Sequence, residues 1–129
     1  MSWYINVLKN YATFNGRARR REYWMFSLFH TLILVLILYI SMTFETDVSG
    51  FTAILFILYM LVTLIPHLAV LVRRLHDTNQ SGWFYFISFV PFVGPIVLLI
   101  FLCKEGTKGD NHYGLDPKIE QLRNNFIIQ

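Results

Sequence analysis

At 129 residues the chain has length enough for one domain. Its hydrophobic share of 55% is above, and its charged share of 15% below, the roughly 45–50% and about 25% of a soluble domain. The net charge of +3 comes with no nucleic-acid-binding motif, and a single cysteine, Cys103, excludes an intrachain disulfide and a multi-cysteine metal site.

The apolar residues lie in long blocks, which points to a membrane. Residues 2–12, SWYINVLKNYA, put Tyr4, Val7, Leu8 and Tyr11 on one face at helical spacing. Too short to span, this piece suits the bilayer interface, where aromatic rings sit at head-group depth. Asn15-Gly16 signals a turn. Arg17, Arg19, Arg20 and Arg21 then lead to Tyr23 and Trp24, a pattern of arginines at phosphate level beside an aromatic belt. Residues 23–43 form the first span: about twenty apolar residues rising about 1.5 Å each cross a hydrocarbon layer of roughly 30 Å. No small-residue cleavage pattern follows, so the segment is expected to stay as an anchor. His30 lies within it. A hydrogen bond to a neighbouring helix is its expected role, with proton or ion handling as the alternative.

The connector carries Glu45 and Asp47 and no basic residue. Residues 51–72 form the second span. Pro66 lies in it, lacks a backbone donor and crowds the carbonyl of Val62, so a kink is expected, with His67 directly after it. Arg73 and Arg74 restore positive charge in the next loop. By the positive-inside rule the N-terminus and this loop face the cytoplasm, and Glu45 and Asp47 the exterior.

The third segment, residues 82–103, has two readings. As one helix it crosses and leaves the tail outside. Pro91, Gly94 and Pro95 interrupt it, however, leaving halves of about eight residues, or roughly 12 Å each. A re-entrant hairpin then returns the tail to the cytoplasm, where Lys104, Lys108, Lys118 and Arg123 favour it, and broken backbone at that depth calls for packing against other helices or an oligomer. The expected architecture is an all-α membrane protein: an interfacial N-terminal helix, two transmembrane helices and a third membrane segment broken at Pro91–Pro95. Residues 1–118 form the membrane domain and 119–129 a C-terminal tail, in which residues 118–128 can make a short helix.

Two polar groups stand out. Arg73, Arg74, His76 and Asp77 end the second span, with Arg73 and Asp77 spaced to pair and the arginines able to meet phosphate, as Arg17 and Arg20 are. Asn111, Tyr113 and Asp116 sit among turn residues and could dock on the first group, Asp116 or Asp110 meeting an arginine. No Ser-His-Asp arrangement, phosphate-cradling glycine loop or paired-carboxylate motif is recognisable, and the spacing of His76, Asp77, Asp110 and His112 matches no standard metal site. No catalytic residue, metal or cofactor is therefore expected.

Three blocks carry a resemblance: FNGRARRREYW at 14–24, RRLHD at 73–77 followed by SGW at 81–83, and GDNHYGLDP at 109–117. In this order, with apolar spans between them, they resemble the small bacterial inner-membrane proteins of domain of unknown function 805, over about Ser2 to Lys118. The resemblance implies a multi-pass inner-membrane protein and assigns no chemistry. The expected function is non-enzymatic, through contact with protein or anionic lipid head groups. Expected partners are those lipids, a second copy of the chain or another membrane protein, and not nucleic acid. A subunit of a small oligomeric transporter or channel would use His30, His67 and the broken third segment. An enzyme acting on a lipid head group would place chemistry at His76 and Asp77.

Overall fold

The computed structural model describes residues 2–43 and 49–127, so the expectation about Glu45 and Asp47 lies outside the described residues. Five α-helices and a 3₁₀ helix follow one another: α1 (Ser2–Lys9), α2 (Arg20–Thr43), α3 (Ser49–Asp77), the 3₁₀ helix (Gly82–Phe89), α4 (Val93–Cys103) and α5 (Pro117–Ile127). No strand occurs among the described residues; Asn111 and Gly114 form one isolated bridge.

Two helices are long and apolar enough to cross a membrane, α2 with 24 residues and α3 with 29. In their most apolar stretches 11% and 28% of residues are buried inside the protein, so neither is the core helix of a soluble domain. Leu28, Leu32, Leu36, Ile54, Leu58 and Leu61 all face outward, an apolar surface that only hydrocarbon would solvate without cost. The two helices run antiparallel. Thr52 donates to Ser41 at 3.0 Å near one end, His30 stacks on Tyr59 midway, and Arg73 meets Glu22 at 3.2 Å near the other.

The N-terminal residues pack on this pair. Tyr4 stacks on Phe26 with ring centres 5.4 Å apart, and Val7 is fully buried. Just beyond α1, Tyr11 solves a backbone problem set by Pro66. A proline has no N–H for the carbonyl four residues back, so Val62 would lose its helical donor. The Tyr11 hydroxyl donates to that carbonyl instead, at 2.7 Å.

The third segment is a hairpin. The 3₁₀ helix climbs to Val90, Phe92 takes a positive φ of 63°, and α4 returns. Pro95 falls in the first turn of α4, where its missing donor costs least. The two arms touch closely: Phe84 meets Phe101 edge to face, and a Cβ on Gly94 would collide with the Ile87 carbonyl. Eleven residues of α4 rise roughly 16 Å, about half of a 30 Å hydrocarbon layer. Both feet stand at the same end of α3. Gly82 abuts Val72, and the carbonyls of Leu102 and Lys104 are held by Arg74. The tail therefore starts beside the arginines that precede α2.

Replacing Tyr11 with Phe is expected to cost about 1 kcal/mol of stability, the net worth of one hydrogen bond. In a Pro66→Ala background residue 66 supplies the donor, and the cost should shrink to a few tenths of a kcal/mol. Thermal unfolding of the four variants in mild detergent reads the cycle; an undiminished cost in the Pro66→Ala background would disprove the account.

Candidate functional site

The C-terminus of α3 ends in a buried carboxylate clamped by two arginines. Arg17 approaches Asp77 Oδ1 through Nε at 3.1 Å and Nη2 at 3.0 Å, and Arg74 donates through Nη1 to Oδ2. Each guanidinium has further work. Arg74 Nε donates to the Leu102 carbonyl at 3.1 Å and Nη2 to that of Lys104, filling acceptors that the end of α4 leaves open. Arg17 donates to the carbonyls of Gly109, at 2.6 Å, and Thr107. The clamp thus joins the loop before α2, the end of α3 and the start of the tail.

Local geometry makes this possible. Gly16, at φ 88°, turns the chain so that its carbonyl accepts from His76 Nδ1 at 3.1 Å. A carbonyl can only accept, so the His76 proton sits on Nδ1. Next along, the Ala18 N–H donates to the Arg73 carbonyl at 2.9 Å. The tail crosses at Gly106, where any Cβ would overlap the Asp77 carboxylate, and Thr107 donates to the Asp77 carbonyl from both N–H (2.8 Å) and hydroxyl (3.1 Å). Asn111 donates to the His76 carbonyl and the Thr107 hydroxyl, each at 2.8 Å. The Tyr113 ring lies flat on His76, with centres 3.9 Å apart. Asp116 closes the loop by accepting from the N–H groups of Gly109 (3.0 Å) and Lys118 (2.9 Å). Burial disfavours its ionised form, but those two bonds and the charges of Arg17 and Lys118 outweigh burial and hold its carboxyl below the usual range.

Above the clamp lies a cleft of about 380 Å³. Six of the residues lining it are cationic (Arg17, Arg19, Arg20, Arg21, Lys108, Lys118) and three are acidic (Asp77, Glu105, Asp116). All three acids are engaged: Asp77 by the arginines, Asp116 by backbone, and Glu105 by Lys118 at 3.0 Å. Arg21 and Lys108 make no hydrogen bond or ion pair with the described residues, and Arg20 makes one, to the Cys103 carbonyl. The chemistry available is attraction of an anion.

The structure brings together Arg17, Arg74, His76, Asp77, Asn111, Tyr113 and Asp116, with Arg20 on the rim. The expected pairs differ in detail. Arg73 does not take Asp77. It turns toward α2 and meets Glu22, while Arg74, one residue and about 100° further round the helix, faces the tail. Asp116 and Asp110 hold backbone N–H groups in place of arginines. Arg17 and Arg74 direct their guanidinium groups to Asp77 and to backbone carbonyls inside the protein. His30 and His67 lie apart from the cluster, their rings 5.4 Å from each other between α2 and α3. Arg21 and Lys108 entered the sequence reading only as basic flanks that set orientation, and Gly106 and Thr107 were not candidates for the site. The signals available were the run of arginines for Arg21 and the basic tail for Lys108.

Asp77→Asn leaves two buried guanidinium groups without their counter-charge and is expected to cost about 3–5 kcal/mol. Gly106→Ala should cost a comparable amount by expelling the tail from Asp77. The exposed pair is different: Lys118→Ala should cost less than about 1 kcal/mol. Thermal unfolding in detergent, compared across the three variants, tests the ranking.

The chain matches the family model described as Protein of unknown function (DUF805) over residues 11–115. It is 49% identical over 118 residues to Inner membrane protein YhaI of Escherichia coli K12, covering 92% of this chain and 97% of that one. To Inner membrane protein YhaH of the same strain it is 41% identical over 120 residues, covering 93% and 99%. No solved structure matches it. The buried Arg17, Arg74 and Asp77 and the tail up to Gly114 all fall inside the matched span, and the chain belongs to the DUF805 family, whose relatives here are inner-membrane proteins.

Proposed function

We propose that the chain is a multi-pass inner-membrane protein that binds the phosphate of anionic lipid head groups in its basic cleft, and acts by that contact without catalysing a reaction. The observation that carries this reading is the surplus of cations around one cleft at the end of the two long helices, with its carboxylates already engaged by arginines, a lysine and backbone N–H groups. That end of an apolar helix pair stands at phosphate depth in a bilayer. Arginine forks and lysine ammonium groups there can share one phosphate.

The same asymmetry supports a cytoplasmic position for this face. No lysine or arginine occurs between residues 22 and 72, whereas basic residues precede α2, follow α3 and fill the start of the tail. The hairpin gathers these segments on one side, as the positive-inside rule favours.

Short-chain phosphatidylglycerol added to the protein in mild detergent should raise its melting temperature, since a ligand of the folded state stabilises it by mass action. Phosphatidylcholine should not, and Arg20→Gln/Arg21→Gln/Lys108→Gln should remove most of the gain. An equal gain from phosphatidylcholine overturns the reading, and an equal gain from inorganic phosphate assigns the cleft to a free anion. For orientation, Glu120→Cys on a Cys103→Ser background should resist an impermeant maleimide until cells are permeabilised; labelling of intact cells would place this face outside.

A further inference from the structure

The basic cleft carries more charge than one lipid phosphate balances. Six cationic side chains line it against three carboxylates, so three positive charges stay unmatched even with every carboxylate ionised. The phosphodiester of phosphatidylglycerol has a single negative charge and leaves most of that surplus in place. Size points the same way. A volume of about 380 Å³ falls in the range of roughly 300–1,000 Å³ found for sites that take whole small molecules, and one phosphate does not fill it.

The cations also come from two separate parts of the chain. Arg20 and Arg21 reach the cleft from the first turn of α2, and Lys108 and Lys118 from the tail. One exposed side chain in each set, Arg21 and Lys108, makes no hydrogen bond or ion pair with the described residues. An apolar track leaves the cleft along α2. Met25, Leu28, Leu32 and Leu36 follow Arg21 at helical spacing, on one face, and all four are exposed.

We infer that the cleft takes a lipid whose head group carries two phosphates, one held by the α2 arginines and the other by the tail lysines, with a chain lying along Met25, Leu28, Leu32 and Leu36. The inference rests on the head-group reading above and narrows it to one ligand class. A lipid with a single phosphate engages one set of cations and leaves the other facing like charge. Joining two phosphates makes the second contact intramolecular, so the first to bind holds the other at high effective concentration. A soluble diphosphate matches the charge and makes no use of the apolar face. Two head groups share the required chemistry: phosphates bridged by glycerol, as in cardiolipin, and phosphates joined directly, as in a prenyl diphosphate.

The test measures dissociation constants for the full chain in mild detergent by isothermal titration. Short-chain cardiolipin, farnesyl diphosphate or both should bind at least about tenfold more tightly than short-chain phosphatidylglycerol, and the tighter of the two names the bridge. Arg21→Gln and Lys108→Gln, each alone, should weaken the two-phosphate lipid at least about tenfold and phosphatidylglycerol no more than about threefold. Both positions are exposed, so the variants are expected to fold. Phosphatidylglycerol binding as tightly as both two-phosphate lipids overturns the inference and leaves the head-group reading standing, as does an equal loss for both classes in the single variants. Inorganic diphosphate binding as tightly as the lipids overturns the assignment to a lipid. Absence of binding by every anionic lipid defeats the inference and the head-group reading together.

Discussion

Three charges buried within one side chain's reach of each other organise this molecule. Asp77 gives one oxygen to Arg17 and the other to Arg74, and all three side chains are almost wholly removed from solvent. Desolvating such a group is expensive, and ion pairing alone often fails to offset it. What completes the balance is backbone. The arginines also donate to the carbonyls of Leu102, Lys104, Thr107 and Gly109, so their remaining N–H groups meet acceptors that would otherwise be orphaned. Loop, hairpin and tail take their positions from this arrangement, since each supplies a group that another needs. The Lys118–Glu105 pair at the surface has the same chemistry and little of the consequence, because water screens it and its side chains are more than half exposed.

Inside the apolar zone the constraint is different. Hydrocarbon offers no hydrogen bonds, so every break in a helix needs a substitute partner from the protein. The Val62 carbonyl released by Pro66 is taken up by Tyr11, and the turn of the hairpin closes through Val90 to Ile87 and Gly94 to Val90. Two side chains in this zone follow the same rule: Thr63 bonds back to its own helix, and His30 finds Tyr59 across the interface. Polar satisfaction at the ends of the long helices and between their apolar stretches are thus two solutions of one accounting problem. The first uses charged side chains, the second neutral hydroxyls and rings.

The architecture was largely legible in the sequence because length and apolarity report directly on a bilayer. The spans 23–43 and 51–72 lie within α2 and α3, and the helices run on to Arg20 and Asp77 because the arginines continue the helix past the apolar run. The interruption at Pro91–Pro95 marked the hairpin, although the break itself falls at Val90–Phe92 and Gly94 and Pro95 already belong to α4. The site was legible only as two clusters able to meet. Choosing between Arg73 and Arg74 required knowing where α2 lay, since the two side chains point about 100° apart. Gly106 and Thr107 had no local signal at all: their roles come from Asp77, some thirty residues away in the chain.

The clamp also sets an order of assembly. Arg17 is made early, and Asp77 and Arg74 together much later, but the carbonyls that complete both guanidinium groups belong to residues 102–109. Until that stretch has left the ribosome, the end of α3 carries two arginines and one carboxylate with their hydrogen bonds half made. The two long helices can insert beforehand, yet the polar end matures only when the last fifth of the chain arrives. A nascent chain stalled or truncated before Gly109 would thus display an unfinished ionic cluster at the ends of its two long helices.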